Sequence, residues 1–219
     1  MRNIKKIPLV AMLLMAIFSV TSLFNLSLGE KNISLASFTL IIGIPMYFIA
    51  WRTEKNEGCS DVLDIKAIPN ALKDKNVIFL LLMPIVMNAI CNIIAKLVIP
   101  EFIQHLTART DFLAMSNILL LLIELVIAAL GEEIAWRAFF QNQLTKAIPF
   151  VPALIISSAL FAICHCKQGE MTVVLYDLLF VFINALFYGM IFKKTNNAFI
   201  SALAHFFANL FGIVSVLLL

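Results

Sequence analysis

Residues 118–140 read ILLLLIELVIAALGEEIAWRAFF. From Ile118 to Leu130 the run is apolar except for Glu124, and then Glu132, Glu133 and Arg137 follow without a break. A segment this apolar belongs in a lipid bilayer, where a lone span must satisfy its own backbone hydrogen bonds, so the run is predicted to be a helix. An ionisable side chain at membrane depth costs on the order of 2.5–3.5 kcal/mol on insertion scales, so two acids and an arginine there are rarely decorative.

The rest of the chain has the same character. It has 219 residues, 62% of them hydrophobic and only 13% charged, with a mean hydropathy of +1.00. A soluble domain is about 45–50% apolar and about 25% charged. So much apolar surface excludes a soluble globular protein, and at about 20 residues per span most of the chain is used by membrane helices. The expected fold is all-α: a polytopic membrane helix bundle with about seven transmembrane helices, six to eight being the range. The spans are predicted at Ile7–Leu28, Ile33–Trp51, Val77–Ile99, Met115–Phe140, Pro149–His165, Met171–Phe192 and Ala198–Leu219. Nothing shows the alternation of about ten residues expected of a transmembrane barrel strand. Residues 1–114 are read as N-terminal transmembrane helices with a cytoplasmic loop at 52–76, and residues 115–219 as a membrane core carrying the chemistry. The N-terminal run after Arg2, Lys5 and Lys6 is read as an uncleaved first span.

The net charge of +3 is read as topology, with the lipid bilayer and not nucleic acid as partner. Alternate sides of the seven spans carry eleven and four basic residues, Arg137 excluded, which puts the N-terminus in the cytoplasm. Cys59, Cys91, Cys164 and Cys166 form no disulfide framework. The segment between Ile99 and Met115 is too polar to span and is read as a loop that leaves His105 without chemistry.

Three spacings carry the chemistry. Glu132 and His165 are 33 residues apart, with the midpoint just before Pro149. A hairpin folded at 146–151 brings them to one height. Glu133 and Arg137 are i,i+4 neighbours and can pair, while Glu132 is turned about 100° away and is left to face a water. His205 and Asn209 are also i,i+4, so both can donate hydrogen bonds towards one point. Phe161 precedes His165 by one turn and can fix its ring. Cys164, His165 and Cys166 diverge by about 100° each on a helix and do not chelate one ion from it. A structural ion-pair cluster is the bland alternative for Glu132, Glu133 and Arg137, and helix–helix hydrogen bonding is the bland alternative for His205 and Asn209.

The ordered set Glu132-Glu133-x-x-x-Arg137, Phe161-x-x-x-His165 and His205-x-x-x-Asn209 resembles the CPBP family, the CAAX proteases and bacteriocin-processing enzymes also called Abi proteins. The resemblance covers about Met115 to Leu219. It implies an intramembrane endopeptidase that hydrolyses peptide bonds of membrane-associated proteins or peptides, with a polar cavity open to the cytoplasm. The charge count instead puts the site nearer the outer end. The family's roles fall on Glu132 and His165, which position and deprotonate water, and on His205 and Asn209, which hold the oxyanion. Glu133, Arg137 and Phe161 support them.

A metal-independent glutamic mechanism without cofactor is the preferred expectation. The alternative is zinc on Glu132, His165 and His205. The rival function is a non-catalytic membrane regulator or bacteriocin self-immunity protein on the same scaffold. A transporter is disfavoured because no inverted repeat is visible. The composition, rich in Ile, Lys, Asn and Phe, suggests a bacterial cell membrane and a peptide substrate other than a prenylated one.

Overall fold

The computed structural model describes residues 4–24, 27–28, 33–54, 61–110 and 117–218. Arg2, Lys31, Lys55, Cys59, Asp111 and Met115 lie outside the described residues. The chain is an all-α bundle and a multi-pass membrane protein. Its helices are α1 (Lys6–Thr21), α2 (Phe38–Glu54), α3 (Ile68–Ala71), α4 (Lys75–Val98), α5 (Glu101–Thr110), α6 (Ile118–Glu133), α7 (Asn142–Ala147), α8 (Phe150–Cys164), α9 (Met171–Thr195) and α10 (Ala198–Leu218). A two-residue antiparallel pairing, Ser27 with Ser34 and Leu28 with Ile33, lies between α1 and α2.

Five helical stretches among the described residues are long and apolar enough to cross a membrane: Lys6–Phe24, Leu35–Glu54, Lys75–Val98, Met171–Thr195 and Ala198–Ser215. The other two predicted spans take different forms. The one at Pro149–His165 becomes α8, an apolar helix of 15 residues. The one at Met115–Phe140 becomes α6, which continues as a π-helix over Ile134–Gln141 and then as α7. The expected loop at 52–76 is shorter than read, since α2 runs to Glu54 and α4 starts at Lys75. Ile68, Pro69, Asn70 and Ala71 form α3, with Pro69 in its first turn, where its missing N–H costs nothing. His105 is not in a loop. It lies on α5 and its Nε2 stands 3.4 Å from Asp177 Oδ2 on α9, both side chains buried.

The helices alternate in direction, and contacts gather their ends. At one end Lys5 donates to the Thr53 carbonyl at 3.2 Å, Lys146 pairs with Glu54, and Lys194 pairs with Asp74 at 2.9 Å. At the other end Ser22 after α1 donates to the Cys164 carbonyl at 3.4 Å. The turn between α7 and α8 falls at Ile148 and Pro149, inside the stretch expected from counting.

All eight residues of the π segment are buried. It packs against α2, α8 and α9. Trp136, Phe139 and Phe140 join Met15, Tyr47 and Phe161 in the largest apolar cluster. Such a segment must find partners for its polar members. Arg137 Nη2 donates to the Ala185 carbonyl at 3.2 Å, and Gln141 Nε2 donates to the Gly189 carbonyl at 3.1 Å, both on α9. The approach is close enough that a Cβ on Gly189 would sit 2.5 Å from Gln141 Oε1. A Cβ on Gly43 of α2 would sit 2.6 Å from Ala135 Cβ. Small residues let membrane helices come this near.

Candidate active site

Glu132 and Glu133 end α6 where the helix widens into its π segment, a backbone form found often at functional sites. The two carboxylates have different surroundings. The Glu133 side chain is fully buried, whereas the Glu132 side chain is 20% exposed and lines a cavity. Glu133 Oε1 lies 3.3 Å from Arg137 Nη1, so the i,i+4 pair read from the spacing is present. The same oxygen lies 3.1 Å from His205 Nδ1 on α10, a contact that the spacing alone does not reveal.

His165 caps the C-terminus of α8, and its Nδ1 lies 2.8 Å from the Phe161 carbonyl one turn back. A carbonyl only accepts, so Nδ1 carries a proton and Nε2 is left for the cavity. The same logic applies to His205, whose Nδ1 faces a carboxylate. Both Nε2 atoms then approach one acceptor: Glu132 Oε2 is 3.8 Å from His165 Nε2 and 3.7 Å from His205 Nε2. Glu132 Oε2 is buried without a hydrogen-bond partner among the described residues. These separations exceed a direct hydrogen bond, so they leave room for a small polar group shared by the three.

Rings hold this arrangement in place. Phe161 lies 4.6 Å from the His165 ring and 5.9 Å from the His205 ring, with the Arg137 guanidinium 4.4 Å above its centroid. Phe161 therefore touches three site residues, more than the single rotamer contact expected of it. Tyr188 on α9 stacks on His205 at 4.5 Å and 17°. Tyr188 was not singled out by sequence reasoning, because α9 is apolar on most of its faces and its inward side cannot be read from composition. Asn209 lines the same cavity, of about 260 Å³, together with Glu132, His165 and His205. The cavity also reaches Asn88 and Asn92 of α4 and Asn184 of α9, again not singled out. Their visible signal is amide side chains at i,i+4 spacing, Asn88 and Asn92, inside an apolar span.

Cys164 and Cys166 serve other neighbours. The Cys164 thiol donates to Ser19 Oγ of α1 at 3.1 Å. Burial, with the Asp177 carboxylate adding to it, pushes the Cys166 thiol up.

Residues 114–211 match the family described as Type II CAAX prenyl endopeptidase Rce1-like. The match includes every residue of the Glu132, Glu133, Arg137, Phe161, His165, His205 and Asn209 set, and leaves out α1, α2 and α4. No curated protein and no solved structure matches the chain.

Proposed function

We propose that this chain, of which residues 114–211 match a family of CAAX-type endopeptidases, is an intramembrane endopeptidase that hydrolyses peptide bonds of membrane-associated peptides with water activated by Glu132 and His165. The observation that carries this reading is the convergence of two imidazole Nε2 atoms, at 3.7 and 3.8 Å, on a carboxylate oxygen that has no hydrogen-bond partner among the described residues.

The proton count follows from the hydrogen bonds. A water between Glu132 Oε2 and His165 Nε2 meets two acceptors, gives one proton to Glu132 and attacks the scissile carbonyl carbon through its oxygen. The carbonyl π pair moves to oxygen. His205 Nε2–H and an Asn209 Nδ2–H donate to the oxyanion, the kind of electrostatic stabilisation that usually supplies the largest part of acyl-transfer catalysis. The C–N bond then breaks as the proton held by Glu132 passes to nitrogen, which leaves as an amine. For His205 to donate through Nε2 while Nδ1–H stays on Glu133, it must carry both protons.

In the alternative mechanism Glu132, His165 and His205 would hold zinc, each imidazole having its Nδ1 held by a carboxylate or a carbonyl, as the ligands of a metal commonly do, but among the described residues no three His, Cys, Asp or Glu side chains are grouped so as to hold a metal ion. Bound there, zinc would act as a Lewis acid. Asn209 beside His205 favours the metal-free reading, since it supplies a second oxyanion donor.

We place the end bearing Lys5, Lys146 and Lys194 in the cytoplasm, where basic residues accumulate. The cavity lining then runs towards Phe102, Leu106 and Lys167 at the opposite end.

The deciding experiment reconstitutes the full chain in liposomes with quenched fluorescent peptides. One is an S-farnesylated peptide ending Cys-Val-Ile-Met and the other its unprenylated counterpart. Mass spectrometry should find a single internal cleavage that is lost in Glu132→Gln. Retention of cleavage in that variant removes Glu132 from the mechanism. No cleavage of either peptide favours the binding role of a regulator or immunity protein.

A further inference from the structure

We infer that Asn184 is a substrate-positioning residue whose side-chain oxygen accepts a hydrogen bond from a backbone N–H of the bound peptide. The inference rests on the peptidase reading and adds a contact on the substrate away from the reacting atoms.

Asn184 lies on α9, buried, and lines the same cavity as Glu132, His205 and Asn209. Its Oδ1 is buried with no hydrogen-bond partner among the described residues. An amide can be turned over to exchange its oxygen and nitrogen, so the identity of the free atom must be argued. Here a chain of bonds fixes it. Asn88 Nδ2 donates at 2.9 Å to the Ala208 carbonyl of α10, and a carbonyl cannot donate. Asn88 Oδ1 must therefore face Asn184, and at 2.7 Å it receives the Asn184 Nδ2–H. Turning either amide would set two donors or two acceptors against each other. The atom left for the cavity is an acceptor, so it recognises a donor.

A buried acceptor costs about 1–3 kcal/mol when unmet, so it is met by something that enters the cavity. Within a peptide substrate the donor present at every position, whatever the side chains, is the backbone N–H. Asn184 sits one helical turn before Tyr188, the residue stacked on His205. One turn is about 5.4 Å, and an extended peptide advances about 3.3 Å per residue. The recognised N–H therefore lies within about two residues of the scissile bond. The fixed amide comes from α4, α9 and α10 together, and Asn88 lies outside the residues matched to the family. The N-terminal part of the chain thus sets the substrate contact that the C-terminal part uses.

The test is a backbone ester scan on whichever of the two peptides the wild-type chain cleaves. Four variants of that peptide each replace one N–H by an ester oxygen, at the two N–H positions on either side of the scissile N–H, leaving the scissile amide itself intact. In the wild type one ester should lower kcat/KM about tenfold. In Asn184→Ala the same ester should carry no further penalty on an activity already reduced. Asn184→Ser, whose hydroxyl can still donate to Asn88, takes its place if alanine lowers the folded yield. A role confined to holding helices together would lower activity equally on amide and ester. Ester penalties that are equal in wild type and variant at all four positions, or absent in the wild type, overturn the inference and leave the peptidase reading standing. Failure of the wild type to cleave either peptide overturns both.

Discussion

Two clusters of charge sit in this bundle, and they are finished differently. At one end Glu54 accepts from Gln143 at 3.3 Å and pairs with Lys146, while Lys146 also donates to Gln143 Oε1 at 3.0 Å. None of these side chains has a buried polar atom without a partner. In the centre, Glu132 Oε2, Glu133 Oε2 and Arg137 Nη1 are all buried without a hydrogen bond among the described residues. A cluster that only joins helices saturates itself, because every unmet buried group costs stability. A cluster built for a ligand keeps bonding capacity in reserve. The difference is what the role proposed for the central cluster requires.

The sharpest way to break this comparison is Glu132→Gln. The amide keeps the shape and cannot take a proton, so turnover should fall by at least about 10²–10⁴-fold, the usual weight of a general base. The thermal midpoint in detergent should stay near that of the wild type. Turnover within a few-fold of wild type would place Glu132 with the structural cluster instead. Glu133→Gln should do the opposite. It leaves Arg137 buried beside a neutral partner, where breaking a buried pair costs about 3–5 kcal/mol, and the folded yield in detergent should drop.

Asn209→Ala should lower kcat by about 10²–10³-fold with KM little changed, as for a donor that acts on the oxyanion. Zinc should not restore it, and a strong chelator should leave the wild type active. One tightly bound zinc per chain by elemental analysis, lost in both His165→Ala and His205→Ala, would replace the oxyanion role of His205 with ligation. In the saturated cluster, Lys146→Met should cost about 1–3 kcal/mol in chemical unfolding by stranding part of the Glu54 carboxylate, and kcat should not move.

The smallest effect concerns Asp74. The Lys194 ammonium and the Asn76 backbone N–H hold its carboxyl below the usual carboxylate range. A lowered folded value means that the contribution is complete above the unfolded value of about 3.9 and is lost as pH falls through the folded one. Asp74→Asn should therefore shift the melting midpoint by about 1–2 °C at pH 6 and converge with the wild type at low pH. A gap that persists unchanged into acid would show that the charge of Asp74 is not its source.

Much of the site was legible from counting. Spacing within one helix placed Glu133 beside Arg137, and a turn near Pro149 placed Glu132 level with His165. Both arguments need only a helix rise and a turn. The contacts of His205 with Glu133 and Tyr188, and the Asn88–Asn184 relay, depend on which sides of separate helices meet. A helix that is apolar all round carries no stripe to say so, and α8 and α9 are of that kind. His105 was misread as a loop residue because α5 is polar for a membrane segment, although it is helical. The π segment left no signal in composition, since its residues are ordinary for a buried α-helix.

That π segment has a consequence for how the chain tolerates changes in length. Arg137 and Gln141 are anchored to fixed carbonyls on α9, while Glu132 and Glu133 lie on the α-helical side of the junction. Removing one codon anywhere between 134 and 141 would take away the extra residue that the wider turns accommodate, and the acids and their anchors on α9 would no longer be spaced as they are. The pair would then be misaligned with its neighbours although both acids remained present. Deletions of single residues here should be as damaging as loss of an acid, and the intact octet is a practical marker for judging whether a variant of this chain can still form its site.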